Sequence, residues 1–212
     1  TSVNTLSLHD ALPICETRKA RVETANKFPT GAGLASSASG FAALALAATK
    51  ALGLTLSEAE LSALARRGSG SASRSIPGGI AVWDEGVRGD GADSFARCIA
   101  APGDIDLRLV VGISDPGPKA LSSTKAMELT RETSPYYAAW IETARAQLVD
   151  AIAAVEKRDL ERLGEIAEHS ALAMHAAALA ASPGIAYWNG ATVEALHAIR
   201  KLREKGHLAF FT

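Results

Sequence analysis

The segment PTGAGLASSASG, residues 29–40, set directly before the alanine-rich run Phe41–Leu52, constrains this chain more than any other part of it. Proline and the glycines punctuate a turn. After it, Phe41, Leu44, Ala45 and Ala48 recur at three- and four-residue spacing, which predicts a helix over Ser36–Leu52 closed by Gly53. The junction brings consecutive backbone N–H groups and three serine hydroxyls to the positive end of that helix, a cradle suited to phosphate oxygens. No Gly-Lys-Ser/Thr follows, so this is not the nucleotide P-loop, and the glycine spacing is not that of a dinucleotide fingerprint. A turn of this composition also serves as a plain helix cap, and both readings stand at this point.

Before it, Arg18–Thr24 reads as a strand. Residues 1–15 lack periodicity, a basic flank and a cleavage site. Thr5–Ile14 resembles the translation of a common sequencing-adapter oligonucleotide, so residues 1–15 are expected to be a non-native leader that packs against nothing.

Ser57 and Glu60 form a capping-box signature for a helix that carries Leu61, Leu64 and Ala65 inward and ends at Gly68. The next stretch, GSGSASRS, reads as a small polar loop with a lone arginine, Arg74. Hydroxyls beside one planar guanidinium suit a carboxylate or a phosphate, while the alternative is a solvated surface loop. Ile80–Trp83 is expected as a strand, Asp84–Asp93 as a turn, and the apolar run Asp106–Ile113 as a second strong strand. The APGD sequence before it marks the domain boundary, dividing the chain into 16–104 and 105–212.

The second half reads as helical. Ser134-Pro135 opens a helix to about Lys157, Asp159 caps one from Leu160 to about Ala181, and Thr192–Lys205 forms a third that stops at Gly206. The closing HLAFFT is expected to be an extended strand.

Charge and composition narrow the partners. With 22 Lys plus Arg against 23 Asp plus Glu, a net charge of −1, there is no basic field for a nucleic-acid backbone. The longest apolar stretch, Phe41–Ala48, is far short of the roughly 18 to 20 residues that cross a bilayer. Cys15 and Cys98 show no metal-type spacing and no disulfide framework, and no metal ligands are assigned. A reducing cytoplasm is the expected compartment.

Taken together with SSTKAM (residues 122–127), AYWN (186–189) and HLAFFT (207–212), the glycine-serine and serine-arginine segments closely resemble the diphosphomevalonate decarboxylases of the GHMP small-molecule kinase family. PTGAGLASSASG is similar to that family's phosphate-binding motif, GSGSASRSIPGG to its substrate loop, and SSTKAM to its second-domain serine motif. The resemblance implies an α+β, two-domain GHMP kinase fold, with a ribosomal-S5-like first domain and a ferredoxin-like second domain, both incomplete. It implies ATP and Mg²⁺ as cofactors and mevalonate diphosphate as substrate, bound between the domains, with a homodimer left open. By the same resemblance Gly31, Ala32, Gly33, Leu34, Ala35, Ser36 and Ser37 hold the ATP phosphates. Ser69, Ser71 and Arg74 contact substrate, Arg74 pairing with its carboxylate, and Ser123, with Ser122 beside it, approaches the transferring phosphate.

Two departures stand out: Gly31 occupies a position where the family usually has Ala, and Pro77 one where an aromatic residue is common. The family also extends further at both ends, with N-terminal substrate contacts and a catalytic Asp shortly beyond the Phe-Phe-Thr landmark. The 212-residue chain alone is accordingly expected to be catalytically inert. The readings that compete are a related mevalonate or phosphomevalonate kinase or decarboxylase, and a non-catalytic fragment. His175 is assigned no catalytic role, because a histidine on a helix of small apolar residues is more often a packing residue.

Overall fold

The computed structural model describes residues 2–7, 19–25, 36–114 and 121–212. It divides into two compact units, Thr1–Asp106 and Leu107–Thr212.

In the first unit, β1 (Ser2–Ser7) pairs antiparallel with β2 (Lys19–Thr24), in a register running from Ser2 opposite Thr24 to Ser7 opposite Lys19. The expectation that residues 1–15 pack against nothing is thereby corrected for Ser2–Ser7. The lone strand at Lys19–Thr24 has a row of backbone donors and acceptors to satisfy, and the Val- and Thr-bearing segment before it supplies their partners.

Helix α1 (Ser36–Ala51) and helix α2 (Glu58–Gly68) meet through small side chains. Ala42, Ala45 and Ala48 pack on Ala65 and Ala72, and Phe41, Leu44, Leu61, Leu64 and Ile76 close around them. Alanines at helical spacing let the backbones approach closely, and this brings the start of α1 beside the end of α2.

The capping box at α2 is complete. The Glu60 N–H donates to Ser57 Oγ at 3.3 Å, and the Ser57 N–H and hydroxyl both donate to Glu60 Oε2, at 2.8 and 2.7 Å. Those two bonds from Ser57 hold the Glu60 carboxyl below its ordinary range. A carboxyl lowered by folding adds stability above its unfolded pKa and loses it as pH falls through the folded value. Replacing the N-cap, Ser57→Ala, is expected to lower stability by about 1 kcal/mol in urea unfolding near neutral pH. The difference should shrink on acidification below about pH 4.3, the unperturbed glutamate value.

Strands β3 (Ile80–Trp83) and β4 (Ala96–Ala100) form a second antiparallel pair, Trp83 opposite Ala96, with an irregularity between Ile80 and Ala81. The sequence reading did not anticipate β4. Between the strands, Asp93 accepts from the N–H groups of Val87 and Arg88 at 2.8 and 3.2 Å, which fixes the turn, and the free thiol of Cys98 is exposed.

The second unit is helical throughout its regular structure among the described residues: α3 (Ser123–Thr133), α4 (Tyr137–Glu156), α5 (Leu160–Leu179) and α6 (Gly190–Glu204). Ala126, Ala178, Ala181 and Ile185 make its core, flanked by Leu121, Leu129 and Tyr187. Ser134 does not open α4. Its N–H closes α3 on the Thr130 carbonyl at 2.9 Å, so α4 begins three residues later, at Tyr137. Asp159 and Asn189 cap α5 and α6 by accepting from the N–H groups of Arg162 and Thr192, each at 2.9 Å.

Both strands expected in this half are absent. Residues 107–113 carry no regular structure and face solvent, with Leu109 79% and Val110 95% exposed. An apolar β-prone run becomes a strand only against a partner ladder, and among the described residues it has none.

Residues 207–212 are held by side chains instead. Arg203 donates to both oxygens of the nearly buried Glu168, at 2.7 and 3.1 Å, and to the Ala209 carbonyl at 3.3 Å. The Phe211 N–H donates to Glu168 at 3.3 Å, and the Phe210 ring lies under the Arg203 guanidinium and over the bare Cα of Gly164. Glu168→Gln should cost about 1 to 2 kcal/mol, because it weakens a charge-assisted pair. Faster amide exchange at 209–211 than in α3 would locate the loss; equal exchange would show that the pair does not hold this segment.

Candidate functional site

The close approach of α1 and α2 places two distant serine clusters together. Ser69 Oγ donates to Ser37 Oγ at 3.5 Å and lies 3.3 Å from Ser71 Oγ, so hydroxyls from the first turn of α1 and from the chain after α2 share one patch. Ser36, the first residue of α1, is half-buried beside them in sequence, and its carbonyl accepts from the Ser39 hydroxyl at 3.2 Å. Gly31, Ala32, Gly33, Leu34 and Ala35 lie outside the described residues.

The GSGSASRS segment is not the irregular loop expected of it. Gly70–Ser75 winds as a 3-10 helix. The reason is Ser73, which is fully buried and donates to the Gly70 carbonyl at 2.8 Å. The Ser73 carbonyl in turn accepts from the Ser62 hydroxyl at 2.9 Å, and Ser62 Oγ accepts from the Ala96 N–H at 2.8 Å. Ser62, also fully buried, therefore ties α2, the 3-10 turn and β4 to one point. In sequence it is an unremarkable polar residue between Leu61 and Leu64, with nothing to mark it.

Arg74 is exposed and makes no hydrogen bond or ion pair among the described residues. In a 3-10 helix side chains three apart eclipse one another, so Arg74 follows Ser71 on the same face of the turn. Hydroxyls and an uncommitted guanidinium on one face can bind an anion with several oxygens, with no covalent chemistry required of the protein.

In the second unit Ser122 is the N-cap of α3 and accepts from the Lys125 N–H at 3.4 Å, so its oxygen is engaged in the cap. Ser123, the first helical residue, is exposed, and its hydroxyl makes no hydrogen bond among the described residues. His175 stands against the rings of Tyr187 and Trp188, with centroids 6.1 and 4.7 Å away. Burial pushes the Tyr187 phenol above its ordinary pKa.

Two family profiles match almost end to end: a "Diphosphomevalonate decarboxylase-like N-terminal domain" over residues 3–96 and a "Mevalonate 5-diphosphate decarboxylase C-terminal domain" over residues 109–210. The chain belongs to the diphosphomevalonate decarboxylase family. The first match begins inside residues 1–15. The diphosphomevalonate decarboxylase of Aspergillus fumigatus is 37% identical over 196 residues, 90% of this chain and 48% of the relative. A solved structure described as MDDEF in complex with MVAPP, AMPPCP and magnesium is 42% identical, with a TM-score of 0.76 over 87% of this chain and 56% of the other. The mevalonate diphosphate decarboxylase from Enterococcus faecalis, in a structure concerned with ATP binding mediated by mevalonate diphosphate, gives 41% identity and a TM-score of 0.73 over 87% and 56% of the two chains. The fold is the α+β GHMP-kinase fold of those structures. The chain spans about half the length of the curated relatives it matches.

Proposed function

We propose that the protein takes part in ATP-dependent decarboxylation of mevalonate diphosphate to isopentenyl diphosphate, and that this chain contributes its phosphate-binding and substrate-binding hydroxyls. The observation that carries this reading is the convergence of Ser37, Ser69 and Ser71 with Arg74 placed on the same turn.

The reaction moves the γ-phosphoryl of ATP to the tertiary hydroxyl of the substrate. Phosphate then leaves, the bond to the carboxylate breaks, and its electron pair forms the alkene as carbon dioxide departs. Both reactants are polyanions, so the protein's task is to gather donors and hold them in place. Ser36 and Ser37 at the start of α1, with the N–H groups of Gly31–Ala35, receive the nucleotide phosphates. Ser69 and Ser71 receive the substrate, and Arg74 pairs with its carboxylate through two parallel N–H bonds. Ser123, uncommitted at the head of α3, donates to the transferring phosphate, with Ser122 holding the helix that presents it.

Hydroxyl and N–H donors fit phosphate oxygens. Mg²⁺ fits the same scheme as an ion carried by the triphosphate, neutralising charge there. The division at 104/105 separates the nucleotide-binding half from the half carrying Ser123, and it is supported by the break between the compact units at Asp106. The reading extends to a cytoplasmic homodimer. No helix among the described residues is long and apolar enough to cross a membrane.

Calorimetric titration of the chain with mevalonate diphosphate, mevalonate phosphate and mevalonate tests the substrate. Saturable binding of the diphosphate in preference to the other two is the expected result. Equal or tighter binding of mevalonate would transfer the reading to a related kinase, and binding of none would remove it.

A further inference from the structure

The two glycines of GSGS each face an aromatic ring. A Cβ at Gly68 would overlap the ring of Phe41, which reaches across from α1. A Cβ at Gly70 would stand 3.1 Å from Cη2 and 3.4 Å from Cζ3 of Trp83, at the end of β3. Ser69 is therefore bracketed, with a ring bearing on the backbone at each side of it.

The indole is itself held. Its N–H donates to Ser94 Oγ at 3.0 Å, and Ser94, almost fully buried, donates to the Asp84 carbonyl at 3.2 Å. Arg66, in the last turn of α2, donates to the carbonyls of Ser94 and Gly91 at 2.9 and 3.1 Å. The frame closes on itself: α2 fixes Ser94 through Arg66, Ser94 fixes Trp83, and Trp83 bears on Gly70, two residues beyond the end of α2. Glycine at these two positions is what allows the rings in.

We propose that Phe41 and Trp83 are positioning residues, whose rings against Gly68 and Gly70 hold Ser69 and Ser71 with their hydroxyls at hydrogen-bond spacing. The consequence for affinity rests on the reading that this cluster binds the anionic groups of mevalonate diphosphate; the consequence for the backbone does not. Without the rings, residues 68–71 gain conformations in which the hydroxyls diverge, and a ligand that needs them together binds only the fraction in which they converge.

The test has two arms on the full chain. In the ligand-free protein, amide exchange at 69–71 is expected to rise about tenfold in Trp83→Leu while α1 and α2 exchange as before, and in Phe41→Ala, whose ring also packs on the core between those helices, to rise by more than theirs does. In the titration, the Kd for mevalonate diphosphate is expected to rise about tenfold in the same variants. Trp83→Phe, which keeps an aromatic body but not the N–H, should fall between, and it carries the test if Trp83→Leu does not fold. Gly68→Ala should weaken binding alone, and the Gly68→Ala/Phe41→Ala double variant should bind no more weakly than Phe41→Ala, a non-additivity that general destabilisation does not produce. Unchanged exchange at 69–71 overturns the proposal, as does unchanged affinity in variants whose exchange has risen. If the unaltered chain does not bind mevalonate diphosphate at all, the functional reading fails, and the exchange arm still decides the positioning.

Discussion

Arg74→Ala is expected to lower the affinity of the chain for its proposed ligand, mevalonate diphosphate, by roughly 10- to 100-fold, and Arg74→Lys to recover only part of it. The guanidinium is exposed and uncommitted among the described residues, so replacing it breaks nothing within the fold. What is lost is a charge-assisted, two-pronged contact worth about 1.5 to 3 kcal/mol, and a lysine restores the charge without the fork. Titration with the decarboxylated analogue separates the roles. If Arg74 pairs with the carboxylate, the variant and the parent bind that analogue alike; an equal loss with both ligands would assign the arginine to the diphosphate instead.

Ser62→Ala is expected to be the most damaging single-atom change in the first unit. The hydroxyl is fully buried, donates to the Ser73 carbonyl and accepts from the Ala96 N–H. Its removal leaves the buried Ala96 N–H without its partner and takes from the Ser73 carbonyl one of two donors, the Ile76 N–H remaining at 3.4 Å, so a loss of about 2 kcal/mol is expected in urea unfolding of this unit. Because the same hydroxyl braces the 3-10 turn, the loss should be accompanied by faster exchange at 70–75. A change below about 1 kcal/mol would mean that the turn is held by Ser73 alone.

The contrast between Ser62 and Ser57 shows what the sequence could and could not reveal. Ser57 is legible because its partner is three residues away and the chemistry of a helix start is local. Ser62 acts on residues 11 and 34 positions downstream, and no local pattern encodes that. The same distinction runs through the fold. Helices α1, α2, α5 and α6 are close to their expected limits because spacing and caps specify them. The run 106–113 has the composition of a strand, yet strand formation depends on a neighbour, which composition does not supply. At the site, the residue types in PTGAGLASSASG and GSGSASRS named the hydroxyls and the arginine. Composition alone leaves Ser69, Ser71 and Ser73 equivalent and the resemblance singles out Ser69 and Ser71; the fold adds that Ser73 is a buried brace, that Ser69 reaches Ser37, and that Ser71 lies beside Ser69.

The open stretch at 107–113 also governs how this chain behaves as a colloid. Leucine and valine side chains at 107, 109, 110 and 111 stand in water on a backbone without regular structure, with Asp106 and Arg108 the only charges between residues 105 and 113, and no proline interrupts them. Such a run, β-prone and nearly uncharged over six residues, is a seed for cross-strand stacking between copies, and the net charge of −1 gives little long-range repulsion to slow their encounter. Shelf life in concentrated solution is thus expected to depend on residues 107–113, a run that carries none of the hydroxyls proposed to bind ligand.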